Sequence, residues 1–409
     1  MNILAASLAL CLAPTVANAQ PPALPAGARS GDTPQTITEP NSLESAEDAM
    51  VKQDWIRALS ILKEHLASPS LSTEDRARSE YDMGFTEEAL DRPTDAVDAY
   101  RQAITANTKQ FEAHAALGRL LIDQSKVAEG RDELVAASGL TPVSGDANAA
   151  KAEVYRALAR LDRHDNPPQA SADLLEALKL TQETPSDTLL SGEIAENSGD
   201  LAGAETAYRK ALVNDPDSIP ATASLAHLLI REKKYADAVP LAEHVHAAAP
   251  NDADVTHLLA NLYLETGDAA KADALDASLI SSPEGSKDPA LYVNRGEALL
   301  HRHDYAGAQA AYQHAADLDP TLVDAWSGLA FASNENHQYS VTLQALTMRS
   351  KLQPDPPATL FLWATTYDNL RQYKSAVAYY KRFLAAAKGN FPDQEFEARH
   401  RLLTLERMH

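Results

Sequence analysis

Histidine is the residue type in this chain best suited to chemistry, because neutral imidazole binds metals and the protonated ring carries charge near neutral pH. Three sets stand near one another: His244 with His246, His301 with His303, and His227 with His257. Residues i and i+2 of a helix point about 200° apart, so neither of the first two pairs closes on one ion without further ligands. They read as solvated helix and turn residues. The sole cysteine, Cys11, sits in an N-terminal apolar run, so the remainder of the chain offers neither a disulfide nor a thiolate site. There is no G-x-x-x-x-G-K-[ST] phosphate loop, no G-x-G-x-x-G turn, no H-E-x-x-H zinc helix and no G-x-S-x-G elbow. The expectation is a protein with no catalytic residues, no metal and no cofactor. The chemistry left to it is recognition, which depends on the elements that carry His227, His257 and their neighbours.

Those elements are helices. The 409 residues include 75 alanines, while Phe, Trp and Tyr together make 6%. Alanine fixes no side-chain entropy in a helix and lets helix axes approach, whereas a β-sandwich needs β-branched and aromatic residues at alternate positions. An all-β fold is excluded. Against 36 Lys and Arg stand 58 Asp and Glu, a formal charge of −22. That balance opposes binding to nucleic acid or to an anionic membrane surface. Charging all 13 His leaves −22 + 13 = −9, so the chain stays acidic in a mildly acid compartment.

The apolar run Ile3 to Leu12, followed by Pro14 and Ala17-Asn18-Ala19, reads as a secretory signal over 1–19, cleaved after Ala19. Ten apolar residues are too few for a membrane span, which takes about 20. Cys11 follows Leu10 in mid-run, which argues against a lipid anchor. The expected location is therefore periplasmic or secreted, with no direct membrane insertion after cleavage. Residues 20–38 are rich in Pro, Gly, Ser and Thr and read as a flexible tether.

From residue 39 the sequence resembles itself with a period near 34, in copies starting at Glu39, Ala77, Phe111, Lys151, Pro185, Ile219, Ala253, Pro289, Val323 and Pro357. Six of the nine spacings are 34. Counting each start as position 1, position 20 is small throughout: Ala58, Ala96, Gly130, Ala170, Ala204, Ala238, Ala272, Ala308, Thr342 and Ala376. Position 8 supplies a facing small residue, among them Gly84, Gly118, Gly192, Gly296 and Ala330. Position 24 supplies a large knob, as Leu62, Tyr100, Leu134, Leu174, Tyr208, Tyr312, Leu346 and Tyr380. Pro142, Pro216, Pro250, Pro320 and Pro354 at position 32 end the second helix, since proline lacks the amide that a continuing helix needs.

This pattern resembles the tetratricopeptide repeat family, with a small residue at 8 and 20, an aromatic or leucine at 24 and proline at 32. The resemblance implies an all-α fold: an α-solenoid of about ten helix-turn-helix repeats over 39–390, with a capping helix over 391–409. In the cap, Phe396, Leu402, Leu403 and Leu405 form the expected apolar side. Three departures are expected to loosen packing. The fourth copy has Leu158 at the small position and Pro167-Pro168 at its turn, after an insertion around Pro142 to Ala150, so this joint is expected to bend. Glu87 takes the aromatic position 11 of the second copy, and Asp276 the knob of the seventh.

In this family positions 5 and 9 face the concave groove. The residues there make the candidate site: Tyr155, Leu189, Glu193, His227, His257, Asn261, Glu297, Phe331 and Phe361, with Tyr81, Phe85 and Val293 also at these positions. The family's clamp for peptide carboxylates uses Lys at 5 and Asn at 9. Only Asn261 matches, with His257 in the Lys position. Nearby carboxylates are expected to favour the imidazolium forms of His227 and His257, and Arg119, Arg163 and Arg231 to offset acids. The resemblance implies a non-enzymatic scaffold that binds a protein or peptide partner, in secretion, polysaccharide export or outer-membrane assembly. The alternative is a groove binder of a saccharide or other small ligand. An enzyme with a site hidden in the groove comes third.

Overall fold

The computed structural model describes residues 42–143 and 145–407. The expected signal over 1–19 and tether over 20–38 lie outside the described residues, as do 39–41, Ser144 and the last two residues of the expected cap. Among the described residues the regular structure is helical throughout. It falls into two compact units, one ending at Ser224 and the other beginning at Leu225.

The first unit stacks five hairpins: α1 (Leu43–Val51) with α2 (Trp55–Leu66), α3 (Thr73–Ala89) with α4 (Pro93–Ala106), α5 (Phe111–Asp123) with α6 (Val127–Ser138), α7 (Ala147–Asp162) with α8 (Pro167–Leu180), and α9 (Pro185–Asn197) with α10 (Leu201–Asn214). Helix α11 (Ile219–Arg231) carries the boundary. The second unit continues with α12 (Tyr235–Ala248), then α13 (Ala253–Glu265) with α14 (Ala269–Ile280), and α15 (Pro289–His301) with α16 (Tyr305–Leu318). It ends with α17 (Val323–Glu335) and α18 (Tyr339–Leu352), α19 (Pro357–Asn369) and α20 (Tyr373–Ala387), and the unpaired α21 (Pro392–Arg407). Seven first helices begin on the residue where the repeat pattern starts its copy, from Phe111 to Pro357. The position-32 prolines lie two to four residues past the ends of their helices, where a missing amide costs nothing.

The small and large positions interlock as the register requires. At position 20, Ala58, Ala96, Ala170, Ala204, Ala238, Ala272, Ala308, Thr342 and Ala376 are all 0% exposed, and Gly130 is buried. A Cβ on Gly84 would lie 2.6 Å from the ring of Tyr100, and one on Gly296 would lie 2.8 Å from Tyr312. Position 8 is therefore small because the knob of its own second helix lies across it. Tyr312 also presses on Gly328 of the next hairpin. Three knob tyrosines find acceptors one turn further along the first helix, where Tyr100 donates to Glu88 at 3.1 Å, Tyr208 to Glu196 at 2.8 Å and Tyr380 to Asp368 at 3.4 Å. Each acid stands at position 12 of its copy and satisfies a hydroxyl that burial would otherwise leave unpaired.

The turns show a second regularity. Position 15 has a positive φ in nine hairpins, at Gln53, Asp91, Ser125, Gly199, Lys233, Gly267, His303, His337 and Arg371. This left-handed residue ends the first helix in a Schellman arrangement: His303 donates to the carbonyl of Leu300 and Asp304 to that of Leu299, both at 2.9 Å. Glycine occupies only two of the nine, so the other seven carry a Cβ where it is strained.

Two expectations of loosening are corrected. Leu158 is 3% exposed and joins Leu134, Ala137 and Val154 in one cluster, so α6 and α7 pack across the insertion. Arg156 of α7 then reaches α9, donating from Nε and Nη2 to Asp187 at 2.8 Å each, with both residues buried. Glu87 is 4% exposed but ion-paired with Arg92 at 3.2 Å. The cap departs from expectation on one side. Leu402 and Leu405 are buried against α19 and α20, whereas Phe396 is 73% exposed and Leu403 58%, because they lie on the opposite side of α21.

Candidate functional site

Positions 5 and 9 of the first helices range from buried, at Phe85 and Val293, to exposed, at Glu297 and Phe331. In the first unit Tyr155 on α7 and Leu189 on α9 are half-buried. Glu193 on α9 pairs with Nε of Arg163 at 3.0 Å. Burial raises the Glu193 carboxyl, and Arg163 offsets some of that rise. Arg119 on α5 bonds to Glu88 of the preceding hairpin and, at 3.4 Å, to Asp123 on its own helix. Tyr81 packs on Tyr100 with ring centroids 5.7 Å apart, and Phe85 is buried beside Trp55.

In the second unit His227 on α11 is half-buried, and its Nε2 meets no hydrogen-bond partner among the described residues. His257 on α13 lies 3.3 Å, through Nε2, from Nδ2 of Asn294 on α15. The expectation of a carboxylate-stabilised imidazolium is corrected at His257. Burial lowers its pKa, and the more distant Asp288 and Asp254 only partly oppose this. Desolvation outweighs attraction because, among the described residues, no carboxylate bonds to the ring. Asn261 is half-buried and Glu297 exposed. Phe331 on α17 is 48% exposed, a large apolar side chain held open to solvent. Phe361 on α19 is half-buried, with its ring centroid 5.0 Å from that of Phe383. Val293 is buried.

The structure thus brings Glu193 to Arg163, His257 to Asn294 and Phe361 to Phe383, so the candidates meet neighbouring side chains rather than one another. The position-12 acids are functional residues of the register that the repeat pattern misses, although a Glu or Asp twelve residues before Tyr100, Tyr208 and Tyr380 is visible in the sequence. Arg401 of α21 chelates one of them, Asp368, through Nε at 2.5 Å and Nη2 at 2.8 Å. Among the described residues no three of His, Cys, Asp and Glu gather as metal ligands would, and no helix is long and apolar enough to cross a membrane. The arrangement can present side chains along stacked helices.

Stacked helical hairpins with a buried small-large register and a variable outer face define a helical repeat scaffold. Tetratricopeptide repeat models match residues 75–144, 155–219, 229–280 and 358–390, together more than half of the chain, which belongs to the tetratricopeptide repeat family. Among curated relatives, Cellulose synthase 1 operon protein C of Komagataeibacter xylinus is 23% identical over 299 residues, covering 70% of this chain and 22% of that protein. Cellulose synthase operon protein C of Xanthomonas axonopodis pv. citri is 27% identical over 217 residues, covering 49% and 14%. The chain therefore spans less than a quarter of the length of either. Among solved structures, YrrB, described as a TPR protein with an unusual peptide-binding site, is 17% identical with a TM-score of 0.40, covering 46% of this chain and 95% of that one. The pilF protein of Pseudomonas aeruginosa is 18% identical with a TM-score of 0.41, covering 53% and 97%.

Proposed function

We propose that the chain is a non-catalytic scaffold that holds a protein or peptide partner on the outer face of its first helices. One contrast carries this reading. Position 20 is closed in every hairpin, while positions 5 and 9 vary in type from Tyr155 and Leu189 to Glu193, His257, Asn261, Glu297 and Phe331, with Phe331 48% exposed. A face whose residue types the repeat does not fix, built on a packed core, is free to be fitted to a ligand. We further propose that the chain is exported after cleavage following Ala19 and that its partner serves polysaccharide export. The names of the two curated relatives support that pathway.

The test is site-specific photo-crosslinking in an envelope extract, with a photoreactive residue at Phe331 or Asn261 and, as controls, at Leu175 and Val213, exposed on second helices. One partner should crosslink from 331 and 261 and not from 175 or 213. Crosslinking confined to the control positions would place binding on the other face and sink the proposal.

A further inference from the structure

A cleft of about 600 Å³ opens on the second-helix side of the last two hairpins, away from positions 5 and 9. Its size lies within the roughly 300–1,000 Å³ of small-ligand sites. One wall is aromatic. Trp363 of α19 stacks on Tyr379 of α20 with centroids 5.0 Å apart and planes at 16°, and on Tyr367 at 5.5 Å and 19°. The guanidinium of Arg382 lies 4.7 Å over the ring of Tyr379. The rim is polar, with Thr347 and Ser350 of α18, Asp355 of the following loop and Arg382 itself.

Two observations mark this as more than a packing defect. Trp363 is 5% exposed and lines the cleft, yet its Nε1 finds no acceptor among the described residues. A buried donor left unpaired costs free energy that a ligand oxygen would recover. The carboxylate beside it is held in place: Asp355 accepts from Nη1 of Arg349 at 3.0 Å and from Oγ of Ser350 at 2.7 Å, with both members of the ion pair largely buried. Arg382, by contrast, has the Tyr379 ring as its contact and makes no hydrogen bond among the described residues, so its five donors are available at the mouth.

We infer that this cleft is a saccharide subsite, in which a pyranose ring lies on Tyr379 and its hydroxyls reach Arg382, Ser350 and Asp355. The chemistry decides between the occupants that aromatic clefts take. A proline-rich segment needs two parallel apolar slots and few partners beyond carbonyl acceptors. Here the rings of Trp363 and Tyr379 make one flat aromatic wall, and hydroxyl, carboxylate and guanidinium groups edge it. A pyranose presents the matching pattern, an apolar C–H face edged by hydroxyls that both donate and accept. The guanidinium now over Tyr379 is the group that would move, since Arg382 is exposed and holds the ring by this one contact, and it would go to the hydroxyl edge.

The experiment uses the full chain and calorimetric titration with cellohexaose, maltohexaose and a decaproline peptide. At least one oligosaccharide should bind, with Tyr379→Ala and Arg382→Ala each weakening it tenfold or more and Tyr379→Phe, which keeps the ring, staying within threefold. Phe331→Ala, on the other face, should leave it unchanged, which separates this site from the peptide-binding face. Arg382 is exposed, so its variant keeps the test meaningful even if Tyr379→Ala disturbs the fold. Binding of neither oligosaccharide, saccharide binding indifferent to both alanine variants, or binding of decaproline alone would each overturn the inference.

Discussion

Raising the pH from 5 to 8 should loosen the seventh hairpin, because Asp276 stands where the register calls for a knob. It is 0% exposed, and neither carboxylate oxygen has a hydrogen-bond donor among the described residues. Burial, and then the neighbouring Asp273, push its pKa up to about 7 from 3.8, while Arg295 opposes them weakly because it is already bonded to Asp273 at 3.0 Å. An acid whose folded pKa exceeds its unfolded value keeps its proton in the fold and loses it on opening. Stability is therefore full below about pH 4 and falls as pH rises through 7. A rise of that size corresponds to roughly 4 kcal/mol in all, of which about 2.5 kcal/mol falls between pH 5 and 8, or nearly two decades in the opening constant. His257 on the facing helix has a lowered pKa and so contributes with the opposite sign, which makes the variant comparison necessary. Hydrogen exchange of α13 and α14, corrected for intrinsic rates, measures the opening. Asp276→Asn should flatten the pH dependence, and Asp276→Leu should flatten it and raise protection at pH 8 at least tenfold, since Leu fills this position at Leu62, Leu134 and Leu174. Hairpins remote from α14 should be unaffected, because contacts in a solenoid are local. A wild-type slope that survives in both variants would refute the assignment.

Ala308→Leu puts a large side chain at a position 0% exposed between α15 and α16, and should cost about 1–3 kcal/mol, read by thermal melting, with the earliest exchange around that hairpin. Arg371→Gly relieves a left-handed residue with φ of 59° and should raise stability by up to about 1 kcal/mol in urea titration, the strain relieved exceeding the entropy that glycine loses. Arg156→Ala strands the carboxylate of Asp187, which is 1% exposed, and should destabilise the α7–α9 contact by roughly 3–5 kcal/mol in the same titration; a loss below about 1 kcal/mol would mean that water replaces the guanidinium.

Much of the fold is legible in the sequence because its determinants are steric and repeat. Ala308 is small because α16 crosses α15 there, and the same contact recurs every 34 residues or so, so chance matches average out. The starts at Pro289, Val323 and Pro357 fall on the first helical residues for the related reason that proline stops and helix starts are local chemistry. The fourth copy misleads because Leu158 looks wrong only beside the average copy. In the structure α7 runs to Asp162 and Asn166 caps α8 ahead of Pro167, so the hairpin has its own geometry with its own room for leucine. The left-handed position 15 is hidden for the opposite reason. Its conformation recurs while its residue type does not, because Lys233, His303 and Arg371 accept strain that the packing on either side outweighs.

The outer face is legible as a place and not as a chemistry, and the physical reason is the same one that makes it useful. Core positions are read from sequence because each wrong side chain costs several kcal/mol there, so few types survive. At positions 5 and 9 that pressure holds where the side chain is packed, as at Phe85 and Val293, and relaxes where it is open, as at Glu297 and Phe331. What those side chains do then depends on neighbours about two to three dozen residues away in sequence. His257 is the clearest instance. The pattern sets it among acids and suggests a charged ring, yet the side chain that actually meets it is Asn294 from the next hairpin, and burial holds the ring toward its neutral form. On the proposed reading of this face, recognition at His257 is by hydrogen bonding from an uncharged imidazole. It would be lost in His257→Phe, and it should weaken rather than strengthen as the pH falls below the range where the ring stays neutral. Titrating the crosslinked partner, once identified, at about pH 5.5 and 7.5, either side of the ordinary imidazole range, settles the sign. Tighter binding at the lower pH would restore the imidazolium as the recognising form.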